Sequence, residues 1–516
     1  MTDIETVDTI VVGAGVGGLS AAIRLGSAGL RVLVLESGGR IGGKAGMEVV
    51  DGVAFDTGPS VLTLPEVFDE VFAHAGLDFR HEVELLQSDP GFRYHFPSGA
   101  VLDVYSELPR TLDSVGSVFG ARAREEFASY LKHAASIWQS AAPHFVWSEA
   151  PDLTSLIFGG LGRLLAVRQI DAMRTLKESI ERLVRTPELR MLLERYATYN
   201  GSDVRRAPAT LGCIAHVELA LGGYGVKGGM YRLVEALGRA AERVGVEIRT
   251  NSPVANLLLG SGAIRGVRMQ DGREIRSSHV VVNADVGHLK HALLPAEQAH
   301  VVEVDGEPSM SAYNAVYRAR RRTAPKRVAH EVIFPSDYLA EFRDIFDGKQ
   351  SPREPTIYMC AQEICHGKVG FCDEEPLFVM ANAPAFTKGA IDVDASELRT
   401  RVDERLRQLG FLESSDVPVF VRSPSDLARL FPGSRGSLYG LGSNSATSAF
   451  KRPPNEIKKL PGLYLASGSA HPGGGLPMVA QSGQLAARAI LKHLAPAQSR
   501  HMQAASAFTR AHFFGS

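Results

Sequence analysis

The chain is short of cysteine, of net charge and of long apolar runs. Four of its 516 residues are cysteine, too few to build a scaffold from disulfides. Its 56 Lys and Arg residues balance 57 Asp and Glu residues, so it lacks the basic excess of nucleic-acid-binding proteins, and no nucleic-acid partner is expected. No apolar run approaches the roughly 18 residues that a membrane-spanning helix needs. These shortages leave a globular protein long enough for two or three domains.

The few cysteines do not predict a metal site either. Cys360, Cys365 and Cys372 lie close together in the sequence, with His366 beside them. Their spacing matches no common zinc-binding pattern. We therefore expect reduced, mostly structural thiols and no bound metal.

Glycine is abundant, with 52 residues, and its first cluster follows an apolar strand. Thr9–Val12 leads into Gly13-Ala14-Gly15-Val-Gly-Gly18 and then into a helix. In this pattern Gly13 permits a tight turn, Gly15 lets the backbone approach a pyrophosphate, and Gly18 lets the helix pack against the strand. The N-terminus of that helix offers free N–H groups and a positive dipole end to phosphates.

A second apolar strand, residues 31–35, ends in Glu36. An acidic side chain at this strand end is placed to accept hydrogen bonds from a ribose diol. The alternative is a Gly-rich turn in an unrelated α/β protein, but strand, turn, helix, second strand and acid occur here in the required order. The sequence therefore predicts an adenine dinucleotide site.

The residues after Glu36 indicate which dinucleotide is bound. They form two further glycine-containing stretches, Ser37-Gly-Gly-Arg40-Ile-Gly-Gly43-Lys44 and Phe55-Asp-Thr-Gly58-Pro59-Ser60. A nicotinamide enzyme has no need of them, whereas the pyrophosphate and ribityl chain of FAD run on past the first turn. Arg40 and Lys44 can offset phosphate charge there. The alternative is that both residues lie in a solvated basic loop that binds no phosphate. FAD is the predicted cofactor, and the Arg-x-Gly-Gly pattern resembles the amine oxidase and phytoene desaturase superfamily.

The C-terminal part carries a more specific pattern. It contains Gly468-Ser-Ala-His471-Pro-Gly-Gly-Gly-Leu476-Pro-Met478, followed by a helix to about Leu494. Together with Arg435-Gly-Ser-Leu-Tyr439-Gly and Tyr196-Ala-Thr-Tyr199-Asn-Gly, this block resembles the bacterial carotenoid desaturases over the whole chain. The Pro-Met pair and the Tyr-Ala-Thr-Tyr block look closest to the 1-hydroxycarotenoid 3,4-desaturases within that family.

The resemblance implies roles for several residues. The Val254 backbone would hold the adenine and Asn283 would close over the site, whereas by themselves they are a core valine and a polar residue at a strand end. The helix start at Leu476 and Met478 would aim backbone donors at the flavin ring. Many flavoproteins carry an aspartate where this chain has Gly468, so backbone groups must hold the ribityl chain and phosphates.

Desaturation removes a hydride and a proton from adjacent carbons, and the resemblance implies that an acyclic carotenoid supplies them. His471 is the candidate base, although it could equally shape the turn. Tyr199, like Tyr196 and Tyr439, could stabilise cationic character through its ring face, although such tyrosines are more often ordinary core or surface residues. Oxygen or a quinone would reoxidise the flavin.

The predicted fold class is α/β, with a discontinuous Rossmann-like FAD-binding domain, a mixed-sheet substrate domain and a helical subdomain that associates with membrane. The predicted boundaries are 1–70, 222–285 and 456–495 for the FAD-binding domain, 71–221 for a helical and substrate-binding region, 286–455 for the substrate sheet and 496–516 for a flexible tail. Residues 153–170 are apolar and flanked by arginines, which favours a helix lying on the membrane surface; a buried helix is the alternative.

A location on the cytoplasmic side is also expected. The first nucleotide strand begins by residue 9, which leaves little room for a cleaved signal. With the surface helix, this predicts a peripheral protein on the inner face of the cell membrane. The rival interpretations are a phytoene desaturase, a flavin amine oxidase, a polyene isomerase and a lipid carrier without redox chemistry.

Overall fold

The computed structural model describes residues 5–150, 170–304, 306–322, 326–386, 395–445 and 451–494. Within these ranges no helix combines the length and apolar character required to cross a bilayer. The predicted surface helix at 153–170 lies outside the described residues except for Ile170. That residue is buried in a small cluster with Ile137 and Ala141.

A five-stranded parallel sheet forms the nucleotide layer. Its strands come from three separate stretches of chain. Apart from the charged and partly exposed edge strand Glu247–Arg249, they are mostly buried and apolar, as expected when helices cover both faces. In spatial order they are Glu247–Arg249, Val32–Leu35, Thr9–Val12, His279–Val282 and Leu463–Leu465.

Two helices pack closely against each other beside this sheet. Val16–Ser27 begins directly after Gly15, and Leu476–Leu494 packs along it. A Cβ atom at Gly483 would lie 2.1 Å from the Gly17 carbonyl oxygen, so only glycine allows this approach. The remaining helices of the nucleotide layer are Glu66–His74, Phe79–Glu82 and Tyr231–Arg243.

A four-stranded sheet flanks the nucleotide layer. Its order is Glu5–Thr6, Glu274–Arg276, Ala263–Met269 and Val254–Gly260, and only the first pair is parallel. Two short antiparallel ribbons complete this side of the molecule: Met47–Val50 with Val53–Asp56, and Leu85–Leu86 with Gly225–Val226.

A seven-stranded mixed sheet forms the second layer. Five of its strands fall within residues 286–455, and two come from the earlier stretch that the sequence predicts as mainly helical. In spatial order they are Pro418–Arg422, Ser311–Arg320, Glu374–Ala383, Ile357–Ala361, His330–Ile333, Phe92–His95 and Val101–Val104. All neighbours are antiparallel except His330–Ile333 and Phe92–His95.

Helices cover this second sheet, and several of them, such as Ala121–Phe145 and Pro187–Glu194, share an apolar core with Phe92, Tyr94 and Phe334. The remaining α-helices of the described residues are Leu108–Phe119, Ala121–Phe145, Leu176–Leu183, Pro187–Glu194, Cys213–His216, Val286–His288, Tyr338–Phe342, Gln362–His366, Ala395–Gln408 and Pro424–Leu430. Tighter 3-10 turns occupy Arg195–Asn200, Ala209–Gly212 and Ala296–Val301. Wider π-helical turns occupy Val217–Leu221, Leu289–Leu293 and Arg343–Asp347.

Candidate functional site

The glycines of the first turn form a cradle that other residues would fill. Gly13 has a φ of 101°, a conformation that favours glycine. A Cβ atom at Gly18 would lie 2.2 Å from the Gly13 carbonyl oxygen, and one at Gly15 would lie 2.5 Å from Oδ1 of Asn283. The missing Cβ atoms therefore let the turn, the start of the helix and Asn283 pack in close contact, the tight turn that a pyrophosphate-binding pattern requires.

Asn283 lies at the centre of this cradle. Its Oδ1 atom accepts a hydrogen bond from the Gly15 N–H at 2.9 Å, and its Nδ2 group donates to the Ala466 carbonyl. The side chain thus ties together the ends of three neighbouring strands. Asn283 therefore lies next to the predicted phosphate turn, and its role in closing over the cofactor stays a prediction.

Glu36 lies beside the same turn. One carboxylate oxygen accepts the Ala14 N–H and the other accepts the Gly38 N–H, each at 2.8 Å. The Glu36 carbonyl accepts the Ser252 N–H at 2.7 Å, which brings the segment leading to Val254 alongside. Val254 is partly buried at the start of its strand.

The second glycine stretch runs directly under the first. Gly42 donates to the Ala14 carbonyl at 2.8 Å, and Gly43 lies over Gly15, because a Cβ atom there would be 3.5 Å from the Gly15 Cα. Gly58 is equally constrained, since its Cβ atom would lie 2.4 Å from the Lys44 carbonyl oxygen. Pro59, which follows it, is partly buried. The two predicted FAD stretches therefore form one surface.

The two basic residues of this stretch differ in their surroundings. Lys44 donates from Nζ to the carbonyls of Ser437 and Leu438 at 2.9 and 3.1 Å. Burial lowers the pKa of Lys44, and Asp285 partly opposes this. Arg40 is exposed, and among the described residues its side chain has neither a hydrogen-bond nor an ion-pair partner. Of the two, Arg40 has the more freely available charge.

The C-terminal block approaches the cradle from the other side. A Cβ atom at Gly17 would lie 2.3 Å from the Ala466 carbonyl oxygen and 3.0 Å from the Val479 side chain. Gly468 lies in the turn after strand Leu463–Leu465, and its carbonyl accepts Nη1 of Arg452 at 3.0 Å. Leu476 is buried at the start of its helix and Met478 is partly buried.

Arg452 holds this block in place and was not found from the sequence. Its guanidinium also donates to the carbonyls of Tyr439 and Leu441 and to Oδ1 of Asn200. None of its hydrogen-bond partners in the described part of the chain is a carboxylate, and burial lowers its pKa to about 10. The charge is therefore balanced by carbonyl dipoles at the edge of the predicted flavin site.

His471 is tied into this packing. It is 3% exposed, and its Nε2–H donates to the Ser148 carbonyl at 2.9 Å. Burial lowers the pKa of His471 to about 4, so the ring is neutral near pH 7. Its carbonyl accepts a hydrogen bond from Asn455. This geometry favours a role in shaping the turn, and catalysis by His471 stays a prediction.

Tyr199 belongs to a buried polar group that we call the tyrosine cluster: Arg195, Tyr196, Tyr199, Glu218 and Tyr94. The hydroxyls of Tyr196 and Tyr199 donate to the two carboxylate oxygens of Glu218, the first at 2.9 Å. Arg195 donates to the Tyr94 hydroxyl at 3.2 Å, and its guanidinium carbon lies 4.8 Å from the centre of the Tyr199 ring.

The charges in the tyrosine cluster reinforce one another. Burial alone would lower the pKa of Arg195, but Tyr199, Tyr94 and Glu218 raise it well above its usual value. Burial first, and then Glu218, raises the pKa of the Tyr196 hydroxyl well above its usual value. Sequence reasoning missed Glu218 and Arg195. The available signal was a lone acid within the apolar run 214–221.

A second buried cluster contains His330, Cys360 and Cys365. One nitrogen or sulfur atom from each lies within 4.8 Å of the others. The Cys365 sulfur lies 3.4 Å from His330 Nε2 and donates weakly to the Ser60 carbonyl at 3.7 Å. The sequence grouped Cys372 with these thiols, whereas the structure brings in His330 and leaves Cys372 exposed. His330 pairs with Cys360 across adjacent strands, a contact that sequence spacing does not show.

Hydrogen bonds account for much of this second cluster. Nδ1 of His330 lies 2.8 Å from the Tyr358 hydroxyl. Burial raises the pKa of the Cys360 thiol, but the hydrogen bond from Cys365 and the nearby His330 outweigh this effect, and the net result is a lowered pKa. The hydrogen bond that the Cys365 thiol makes with Cys360, together with burial, raises the pKa of Cys365.

The fold and the cradle define a dinucleotide-binding flavoprotein, and comparison with known proteins gives the class. The family model described as flavin containing amine oxidoreductase matches residues 16–491. A solved redesigned putrescine oxidase has a TM-score of 0.62 at 16% identity, covering 96% of this chain and all of that one. Cyclohexylamine oxidase from Brevibacterium oxydans has a TM-score of 0.55 at 17% identity, covering 95% and 99%. These two structural likenesses show the fold alone.

Sequence relatives are more specific. The chain is 35% identical to hydroxyneurosporene desaturase of Rubrivivax gelatinosus, covering 95% of this chain and 94% of that protein. It is 37% identical to hydroxyneurosporene desaturase of Cereibacter sphaeroides, covering 94% and 98%. The 4,4'-diaponeurosporene oxygenase of Staphylococcus aureus is 28% identical, covering 93% and 97%. The chain belongs to the flavin-containing amine oxidoreductases and, within them, to the family of the bacterial carotenoid desaturases. It is an FAD-dependent oxidoreductase.

Proposed function

We propose that this protein is an FAD-dependent desaturase of acyclic carotenoids that introduces the 3,4 double bond into a 1-hydroxycarotenoid. The observation that carries the proposal is the near full-length similarity to hydroxyneurosporene desaturases, and partly buried tyrosines beside the predicted flavin segments add to it. Tyr358 lies beside Ser60, and Tyr439 lies against Gly474, where a Cβ atom would come within 2.7 Å of the Tyr439 ring. Relatives that share the chain over nearly its full length are hydroxyneurosporene desaturases.

The residues that we propose to hold FAD surround the cradle. Gly13, Gly15 and Gly18 form the tight turn for the pyrophosphate, and Glu36 accepts the ribose hydroxyls. The full proposed set is Gly13, Ala14, Gly15, Gly18, Glu36, Arg40, Gly43, Lys44, Gly58, Pro59, Val254, Asn283, Gly468, Leu476 and Met478. The bound flavin supplies the hydride acceptor for desaturation.

The protein's own contribution is positioning and the exclusion of water. Rigid aromatic walls fix a polyene in one orientation, which supplies much of the rate. A cation that develops next to a polyene is delocalised, and the ring face of Tyr439 can stabilise it further, whereas the rings of Tyr199 and Tyr358 already face the Arg195 guanidinium. No strong base is then required, which fits a His471 that is neutral and hydrogen-bonded to Ser148.

Product analysis tests this function directly. The gene product is expressed in hosts that accumulate acyclic carotenoids with or without a 1-hydroxy end group. We expect a red-shifted product that has lost two hydrogens, formed only from the hydroxylated substrate. Desaturation of phytoene would instead assign the protein to the phytoene desaturases. Yellow protein that converts neither substrate would contradict carotenoid desaturation and favour an amine oxidase or an isomerase.

We further propose that the protein binds the inner face of the cell membrane and that oxygen or a quinone reoxidises its flavin. Support comes from the apolar, arginine-flanked segment 153–170 and from the lipid solubility of a carotenoid. The protein should pellet with anionic vesicles, and Leu156→Glu with Leu164→Glu should abolish pelleting. Pelleting at the wild-type level in that variant would argue against the membrane proposal. Anaerobic turnover with a quinone distinguishes the two electron acceptors.

A further inference from the structure

We propose that the oxygen of Tyr199, oriented by Glu218, accepts a hydrogen bond from the hydroxyl at the end of the carotenoid and so selects hydroxylated substrates. This inference rests on the proposed function. It adds a binding subsite for a tertiary alcohol, with Tyr199 as the contacting residue and Glu218 as a positioning residue.

The tyrosine cluster has the location that such a subsite requires. Its central guanidinium, on Arg195, faces the ring of Tyr199 at 4.8 Å and that of Tyr358 at 6.0 Å. Tyr358 is adjacent to Ser60, at the end of the predicted FAD stretch 55–60, and Tyr439 lies against Gly474 in the C-terminal block. In a 1-hydroxycarotenoid the alcohol is only two carbons away from the 3,4 bond, so its partner must lie close to the flavin.

The members of the cluster differ in burial. Tyr196 and Tyr94 are both 0% exposed, and Glu218 is buried, whereas Tyr199 is only partly buried. Of the three hydroxyl-bearing residues in the cluster, Tyr199 is therefore the one that we assign to the ligand.

The direction of the hydrogen bond is fixed by the carboxylate. Burial raises the pKa of Tyr199 well above its usual value, so the phenol keeps its proton and donates it to Glu218. An ionised carboxylate only accepts hydrogen bonds. The Tyr199 oxygen therefore retains a free lone pair, and the matching ligand group is a donor, such as an alcohol.

Energetics explain why such a partner produces selectivity. An alcohol that enters an apolar tunnel loses its bonds to water, at a cost of about 1–3 kcal/mol in proteins. A tunnel lined only by hydrocarbon would therefore disfavour the hydroxylated substrate. An acceptor backed by a charged carboxylate offsets this cost, since hydrogen bonds in such networks polarise one another.

The test compares two tyrosines that share the same carboxylate. Tyr199→Phe and Tyr196→Phe each remove one hydrogen bond to Glu218, but only Tyr199 is assigned to the ligand. Purified holoenzymes are assayed with a 1-hydroxylated acyclic carotenoid and with the same carotenoid lacking the hydroxyl. The quantity compared is kcat/KM for the hydroxylated carotenoid divided by kcat/KM for the carotenoid without the hydroxyl. Bound FAD is measured from its visible absorbance.

We expect Tyr199→Phe to lower this ratio on the order of tenfold, as expected for one hydrogen bond, and Tyr196→Phe to lower it much less. An equal fall in both variants, or no fall in Tyr199→Phe, would overturn the subsite. If Tyr199→Phe loses FAD, the double variant Tyr199→Phe with Glu218→Gln leaves no unpartnered carboxylate and is judged by the same ratio. A parent enzyme that desaturates no hydroxylated carotenoid overturns the proposed function itself, which is a different result.

Discussion

The Gly15 N–H donates to Oδ1 of Asn283 at 2.9 Å, across 268 residues of sequence. The same side chain donates to the Ala466 carbonyl. One amide therefore connects the carboxyl ends of strands Thr9–Val12, His279–Val282 and Leu463–Leu465. Ligands of open parallel sheets bind at this edge, and the proposed FAD site lies there.

Gly15→Ala should abolish FAD binding. The new Cβ atom would lie 2.5 Å from the Asn283 oxygen, so it would displace that side chain and disrupt the tight turn. The measurement is the ratio of visible to ultraviolet absorbance in the purified protein. Gly116→Ala is the matched control, because its nearest neighbour is the flexible Arg124 side chain at 3.2 Å. A fully flavinated Gly15→Ala protein would refute the nucleotide assignment.

Glu36→Gln should weaken FAD binding by about 1.5–3 kcal/mol, the range for hydrogen bonds to a charged group. The carboxylate accepts the N–H groups of Ala14 and Gly38, and an amide cannot accept at both of its ends. Calorimetric titration of apoprotein with FAD measures the change. Glu247→Gln, on a neighbouring strand and paired with the exposed side of Arg249, is the control; an equal loss there would count against a specific role.

The sequence predicts the nucleotide layer well because its signals are local. The strand Thr9–Val12, the glycine turn and Glu36 are adjacent in the chain, so their order alone indicates their geometry. The sequence also contains strand-like apolar runs at 311–317, 377–382 and 417–421. The structure has strands at or next to these positions in the second sheet, Ser311–Arg320, Glu374–Ala383 and Pro418–Arg422. Buried apolar strands of this kind can be predicted from the composition and length of the apolar run.

What the sequence misses depends on distant contacts. Glu218 is an isolated acid in an apolar run, and only folding shows that Tyr196 and Tyr199 are its partners. Arg452 likewise finds carbonyl acceptors on separate segments. Such partners are set by tertiary packing, which single-sequence patterns do not encode.

The four cysteines should differ sharply in reactivity. Cys372 is exposed, Cys213 is intermediate, and Cys360 and Cys365 are buried. Titration of the native protein with a thiol reagent should therefore show one fast thiol that Cys372→Ser removes, and all four thiols should react after denaturation. Cys372→Ser matches the parent in size and polarity. Rapid reaction at Cys360 or Cys365 would contradict their burial.

The cluster of His330, Cys360 and Cys365 allows a check on metal content. Because the sequence predicts no metal, we expect purified protein to contain only substoichiometric zinc or copper by elemental analysis. A chelator should leave the thiol titration unchanged. Stoichiometric metal that disappears in Cys365→Ser would show that His330, Cys360 and Cys365 form a metal centre.

The buried His471 and the partly buried His74 should make the fold sensitive to acid. Burial lowers the pKa of His471 from 6.5 to about 4, and it lowers that of His74 by a similar amount. Between these values the unfolded chain binds more protons than the folded one. The stability contributed by each neutral ring is therefore complete above pH 6.5 and is lost as the pH falls towards 4.

Replacing His471 should remove the part of the acid-induced loss of folding stability that this residue causes. From pH 7.5 to pH 5 that part is about 2 kcal/mol, since each pKa unit corresponds to about 1.4 kcal/mol. His471→Gln, which keeps an N–H donor for the Ser148 carbonyl, should thus show a smaller fall in thermal midpoint over this range, measured with saturating FAD. His81→Gln is the control because its side chain is 87% exposed. If His471→Gln and the parent lose the same stability between these pH values, His471 is not held neutral by burial, and its availability as a base would have to be reconsidered.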